Sequence, residues 1–350
     1  MKKLTQAILI AWMLIGLAGR AQAQGTVTAN SAGIKYNPGH YVAMGPHINL
    51  PEIKHLQEPA LRGVNKRYHW RILEPEKGVY DFSAIEKDLA YCEAQNKQLV
   101  VFLCDKSFWK RGAVPHYLKQ YELPYPDGSF NPVRWEPEYI DRFIALGEAI
   151  GERFNDHPNF EGLAIQESAL GLTEEDYAKF GYTPEKYRDA LITILNGMRE
   201  AMPNCQIFWY QNGIHENDGH LKEIADTMSG KNVVMGGPDI LPHRRWLRYT
   251  YRIYREYKGK IKLFCSAQDD SYHHHKNDIR LADKEPVPEE GYLTMEEIFL
   301  YARDSMHINY LFWNYYYQNL EENDRTFDEV VEVIQEYPEF NTGEYDNSSK

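Results

Sequence analysis

Cysteine is scarce in this chain. Its four residues, Cys92, Cys104, Cys205 and Cys265, show no close Cys-x-x-Cys spacing, which argues against a zinc site or a disulfide framework. The last three lie in or beside apolar strand-like runs and are expected to be buried thiols. Positive charge is in deficit, with 39 Lys and Arg against 51 Asp and Glu. Basic clusters are confined to short segments such as His243-Arg244-Arg245, so no nucleic-acid surface is expected. No Gly-rich phosphate loop follows any strand-like run, and Gly236-Gly237 alone is too little, which argues against a doubly wound nucleotide-binding sheet. Internal repeats and Pro/Gly/Ser-rich linkers are also missing, so one domain is the simplest reading. No apolar run reaches the roughly 20 residues of a membrane span.

The first apolar stretch, Ala7 to Leu17, follows Lys2 and Lys3 and leads to Ala21-Gln22-Ala23. A basic start, a short apolar run and a small-x-small pattern are the marks of an export signal, here residues 1–23. The mature protein is therefore expected to be exported, to the periplasm or the outside of the cell, with no membrane span left after cleavage. Residues 24–340 suit one (β/α)8 barrel, whose typical size is about 250 residues plus insertions. The polar stretch 341–350 is expected to be a disordered tail.

Strand-like and helix-like segments alternate along the mature length, the pattern of βα units around a parallel sheet. Eight runs read as strands, starting near His40, Gly63, Gln98, Glu161, Cys205, Asn232, Lys260 and Ile308. Amphipathic helical patterns lie between them, among them Phe82 to Gln95, Pro137 to Phe154, Pro184 to Met202, His243 to Tyr257 and Thr294 to Met306. The fold class is thus α/β, a single-domain TIM barrel. The Pro-rich segment Phe108 to Trp135 is expected to be a long irregular loop after the third strand.

In such a barrel the working side chains stand at the C-terminal ends of the strands. That filter selects Arg67 and His69 on the second strand, which alternate and so share a face. It selects Asp105 beside Lys106, then Gln166 and Glu167, Tyr210 and Asn212, Asp239, Gln268 with Asp269 and Asp270, and Trp313. Glu167 ends the apolar run Gly162 to Ile165, where a carboxylate is costly without a task or a partner. Burial is expected to raise its pKa toward working pH and fit it for acid/base chemistry, the competing reading being a structural ion pair with a nearby cation. Asp105 is expected either to orient a sugar hydroxyl or to pair with Lys106. The 26 tyrosines, with Trp209, Trp313 and Tyr315 to Tyr317, offer flat faces for sugar rings or for ordinary core packing. Trp109 and Trp135, in the polar loop, are the preferred outer sugar platforms. His273-His274-His275 does not suggest a metal, because consecutive residues rarely point at one ion.

The run from Arg67 to Phe82, with Trp70, Leu73-Glu74-Pro75, Gly78 and Tyr80-Asp81-Phe82, resembles the second-strand signature of the retaining glycosidases of clan A. This clan includes cellulases, mannanases, β-galactosidases and xylosidases. The resemblance implies a (β/α)8 fold over nearly the whole mature chain and an acid/base Glu at the end of strand four, which Glu167 matches with Gln166 in place of the usual Asn. It implies an aromatic floor at Trp313 and, more loosely, a sugar contact at His215.

Strand seven departs from the pattern: it ends Gln268-Asp269-Asp270, without Glu, and an amide cannot attack the anomeric carbon. Asp269 or Asp270 is expected to take the second carboxylate role. The alternatives are an inverting site using Asp239, or a barrel that binds sugar without cutting it. The expected activity is hydrolysis of a β-linked oligo- or polysaccharide by carboxylate catalysis, with Arg67, His69, Asp105, Gln166, Tyr210, Asn212, His215, Asp239, Gln268 and Trp313 contacting the sugar. A carbohydrate is then the partner, and this chemistry implies neither cofactor nor metal. The alternative function is a non-catalytic carbohydrate-binding barrel in a glycan-uptake system.

Overall fold

The computed structural model describes residues 33–108, 111–242, 248–272, 293–315 and 327–341, with the side chains of Arg248 and Asp269 left aside. The proposed signal, Trp109, His273 to His275, Tyr316, Tyr317 and the tail from 342 lie outside the described residues. Among the described residues ten strands form: β1 (Gly39–Met44), β2 (Leu61–His69), β3 (Gln98–Cys104), β4 (Glu122–Pro124), β5 (Phe130–Pro132), β6 (Phe160–Ile165), β7 (Gln206–Tyr210), β8 (Val233–Gly237), β9 (Leu263–Ala267) and β10 (Tyr310–Asn314). All but β4 and β5 close into one parallel barrel, in the order β1-β2-β3-β6-β7-β8-β9-β10, with β10 paired back to β1. Each of the eight expected strands is present.

Within the segment expected as an irregular loop after β3, residues 111–135 carry regular structure. A 3-10 turn, His116–Tyr121, leads into an antiparallel hairpin of β4 and β5. Its turn closes with Gly128 donating its amide to Tyr125 O at 2.9 Å, Gly128 having φ +89°, a left-handed conformation open to glycine at little cost. The hairpin is tied to the C-terminal end of β3 by a bridge between Ser107 and Phe130.

Strand alternation divides the core in two. Tyr41, Val100, Phe102, Phe208, Tyr210, Phe264, Tyr310 and Phe312 point inward and fill the barrel. Their neighbours Val42, Val101, Leu103, Ile207, Trp209, Leu311 and Trp313 point outward and pack under the helices. Long amphipathic helices, chiefly Pro137–Phe154 and Pro184–Ala201, cover that outer layer; each begins with Pro at its first turn, and Thr183 caps the second through Lys186 N. Gly236 is required by close approach, since a Cβ there would overlap Phe264 O and the Phe264 ring across the β8–β9 pair. All four cysteines are buried and unbridged; burial pushes the Cys92 and Cys104 thiols up to about 12. Asn341, placed in the tail by the sequence reading, belongs to the fold: its side chain donates to Arg303 O and Ile308 O. Among the described residues no helix is long and apolar enough to cross a membrane.

The second-strand signature proves to be a structural clamp. Trp70 is fully buried against Tyr139 and Phe143, and its indole N–H donates to Glu74 Oε2 at 2.8 Å. Glu74, itself buried, also accepts from Gly78 N at 2.8 Å and from Arg142 of the helix Pro137–Phe154. One carboxylate thereby ties the end of β2, the turn after it and a helix on the outer layer. Replacing Glu74 by Ala leaves the buried Trp70 N–H without its acceptor and the Arg142 guanidinium without its carboxylate, with only the Tyr80 and Tyr117 hydroxyls to accept from it, a class of change that costs about 3 kcal/mol. Urea denaturation should show that loss, and a variant as stable as the parent would contradict the clamp.

Candidate active site

Because inward and outward positions alternate, the last inward residue of each strand looks into the C-terminal mouth. There they enclose a cavity of about 240 Å³, lined by Arg67 of β2, Phe102 of β3, Gln166 and Glu167 beyond β6, Tyr210 of β7, Asp239 beyond β8, and Gln268 and Asp270 beyond β9. This is below the roughly 300 Å³ at which drug-sized pockets begin, a size suited to one ring rather than a long chain. Its floor is apolar: the Phe102 and Tyr210 rings stack at 4.7 Å with an interplanar angle of 1°. The Tyr210 hydroxyl shares a hydrogen bond of 2.9 Å with Ser266 Oγ. Phe108, half exposed, stands at the rim.

Glu167 is held from three sides. Lys106 Nζ lies 2.8 Å from Oε1, and Asn212 Nδ2 donates to Oε2 at 2.7 Å. The backbone carbonyl of Glu167 accepts from the Arg134 guanidinium at 2.6 Å. Burial by itself would raise the carboxyl pKa, as the sequence suggests, but the Lys106 ammonium and the two donated hydrogen bonds outweigh it, and the net shift is downward. Glu167 is therefore a carboxylate at rest. The expectation of a raised pKa is corrected, and the competing ion-pair reading describes its resting state.

Asp105 and Lys106 do not pair with each other, and Asp105 does not reach the cavity. They are consecutive at the end of β3, so they point to opposite sides. Asp105 is fully buried on the outer side, where Arg134 donates to both its oxygens at 2.7 Å and the Tyr139 hydroxyl donates at 2.7 Å. Lys106 turns inward to Glu167, and its backbone amide donates to Gln166 Oε1 at 2.9 Å.

Trp313 is also displaced from its expected role. It is an outward residue of β10, fully buried, donating to His40 Nδ1 at 3.0 Å and stacked beside Tyr272; it cannot floor a sugar site. Trp135, proposed as an outer platform, is core, with its indole N–H on Phe180 O at 2.8 Å. His215 lies away from the cavity, stacked at 4.1 Å on Tyr177 and 3.4 Å from Glu174. His69 shares the inward face of β2 with Arg67; burial, then Arg71, His47 and Arg67, push its pKa down to about 4, so it is neutral. Gln268 lines the cavity and donates to Pro238 O at 2.6 Å. Asp270 lies in the short helix Asp269–Tyr272 rather than on the strand; the side chain of Asp269 is outside the described part. Asn65, Phe102, Phe108 and Ser266 belong to the site or its base but were not selected from sequence. The signal for Asn65 was available, since it stands two residues before Arg67 on β2.

No protein-family model matches the chain, and no curated protein matches it by sequence. Solved structures do match in fold. The catalytic domain of beta-amylase from Paenibacillus polymyxa superposes with a TM-score of 0.57 at 9% identity, covering 86% of this chain and 98% of that one. Endo-glycoceramidase II from Rhodococcus sp. matches with 0.53 at 10% identity, over 87% and 80%. A psychrophilic glycoside hydrolase family 10 endo-beta-1,4-xylanase matches with 0.52 at 12% identity, over 83% and 90%. At these identities the likeness is one of fold: this chain has the (β/α)8 barrel that these glycosidases use.

The charge state of Glu167 can be tested at Lys106. Lys106→Met deletes the ammonium and leaves burial in force, so the Glu167 pKa should rise, which carbon-13 NMR titration of its carboxyl reads directly. In the parent protein the lowered folded pKa means that the pair stabilises fully above the unfolded carboxyl value of 4.5, the contribution being lost as pH falls through the folded pKa. An unchanged titration in the variant would contradict this assignment.

Proposed function

We propose that the protein is an exported glycoside hydrolase that cleaves a β-linked oligo- or polysaccharide at the cavity around Glu167. The observation that carries this reading is a poised carboxylate on the wall of a ring-sized, aromatic-floored cavity at the catalytic end of the barrel. The fold likeness to proteins named as an amylase, a glycoceramidase and a xylanase supports it.

The resting charge state sets the direction of proton flow. Ionised Glu167 accepts a proton, so its role is that of a base toward water rather than a donor to the leaving group. Water loses a proton to Glu167 as its oxygen bonds to the anomeric carbon; the glycosidic C–O bond breaks, and the leaving oxygen takes a proton from a second carboxyl group. Asp239 and Asp270 line the same cavity and are the residues for that second role. Gln268 stands where the clan places its nucleophile, and an amide cannot form the covalent glycosyl intermediate. A base and an acid flanking a water correspond to inversion, with carboxyl groups roughly 6.5–9.5 Å apart.

The amide at Gln268 favours one other reading, a barrel that holds sugar without cutting it. The two are separated by incubating the protein with β-linked glycans and assaying new reducing ends. The hydrolase reading predicts products, and a fall in kcat of roughly 10²- to 10⁴-fold in Glu167→Gln. It also predicts an acid limb of the pH–kcat profile below the ordinary carboxylate range, because the base stays ionised there. Binding without products, or unchanged turnover in Glu167→Gln, would overturn it.

A further inference from the structure

Beside the sugar-sized cavity lies a second, smaller recess of about 50 Å³. The two share Arg67, Phe102, Tyr210 and Gln268, so the recess adjoins the first. Its remaining wall includes Asn65, Ser266 and Asn314, and no Asp or Glu among the described residues lines it. A volume this small admits a group of a few heavy atoms, not a second ring.

The charges around it are unequal in how they are matched. Lys106 has Glu167, and Arg134 has Asp105. Arg67 has no ion-pair or hydrogen-bond partner among the described residues; its guanidinium lies 5.3 Å over the Phe102 ring. Two residues earlier on the same inward face, Asn65 is 2% exposed, and its Nδ2 has no acceptor among the described residues. The buried amide N–H of Asn65 is costly to leave unpaired, and the half-buried Arg67 guanidinium facing the same recess reaches solvent and is open to an anion. Each calls for acceptor oxygens supplied from outside, and a guanidinium fork fits a carboxylate or sulfate best.

We propose that the sugar held in this cavity carries an anionic substituent, a carboxylate or a sulfate, which enters the recess and is bound by Arg67 and Asn65. The proposal rests on the reading of the cavity as a sugar site and names its substrate class. It also gives Gln268 a reason: a carboxylate at that position would stand beside Arg67, occupy its fork and repel an acidic sugar. The chain's overall charge of −12 opposes the approach of polyanions at long range. That field is screened within about 10 Å at ordinary salt, so the local cation decides binding.

The test measures binding separately from cleavage. Isothermal titration of the intact protein compares β-linked triuronates of gluco, manno and galacto configuration with their neutral counterparts and their 6-sulfated forms. The acid-bearing member of one series should bind about tenfold or more tightly than its neutral partner, as expected for a charge-assisted contact. Preference for the uronate assigns a carboxylate, and preference for the sulfated sugar assigns a sulfate. Arg67→Met should abolish the preference, Arg67→Lys should keep part of it, and Gln268→Glu should remove it by pairing with Arg67. The parent comparison and Gln268→Glu keep the test decisive if Arg67→Met fails to fold. Equal binding of neutral and acidic sugars, no binding of any acidic sugar, or a preference that survives both Arg67→Met and Gln268→Glu would overturn the proposal. Acidic sugars bound without new reducing ends would leave it standing and end the hydrolase reading. Neutral sugars cut without preference for acid would do the reverse.

Discussion

The site is built on the buried guanidinium of Arg134. It grips both oxygens of Asp105 at the end of β3, donates to the carbonyl of Glu167 beyond β6, and contacts the Tyr187 hydroxyl of a covering helix at 3.1 Å. A buried ion pair is not in itself a strong stabiliser, because desolvating two charges offsets most of their attraction. Its consequence here is geometric. With Asp105 anchored outward and Glu167 pinned by its own backbone, strand alternation leaves Lys106 only the inward side, where it meets the Glu167 carboxylate. The charge state of the candidate catalytic group therefore follows from an interaction on the opposite side of the barrel wall.

Charge in the mouth is ordered by the same logic. Among the described residues, Lys106 is spent on Glu167, while Arg67 has no such partner. On the proposed function, the anionic wall group and the Arg67 cation divide the cavity into a place where a bond is attacked and a place where a substituent is held. The Gln at the end of the seventh barrel strand then bears on what the pocket is proposed to recognise as well as on how it is proposed to react.

The barrel was legible in the sequence because its signals are local. Alternating apolar runs and Pro- or Thr-started amphipathic helices announce themselves without tertiary context, and every expected barrel strand formed. The cavity was legible where parity could be counted, as for Arg67, Tyr210 and Gln268. It failed where parity needed a register that sequence does not print. Trp313 and Asp105 stand at strand ends as required, but each points outward. The pairing of Glu167 with Lys106 joins residues 61 positions apart, and no spacing rule reveals it. The second-strand phrase was conspicuous for another reason: Trp70, Glu74 and Gly78 form a clamp within the fold, and a motif required by packing reads like one required by chemistry. The hairpin after β3 was hidden by prolines, which at Pro124 and Pro132 sit on short strand edges where no ladder donor is lost.

The central claim is that the mouth of this barrel holds a single sugar ring between the Phe102–Tyr210 floor and the Glu167 carboxylate. The most direct test is a crystal structure of the Glu167→Gln variant soaked with a β-linked trisaccharide. The account predicts one ring seated over Phe102 and Tyr210, with its glycosidic oxygen or a bound water within hydrogen-bond distance of residue 167. A glycan bound only at the opposite end of the barrel, near Arg62 and Lys97, or a mouth that admits no ring, would contradict it.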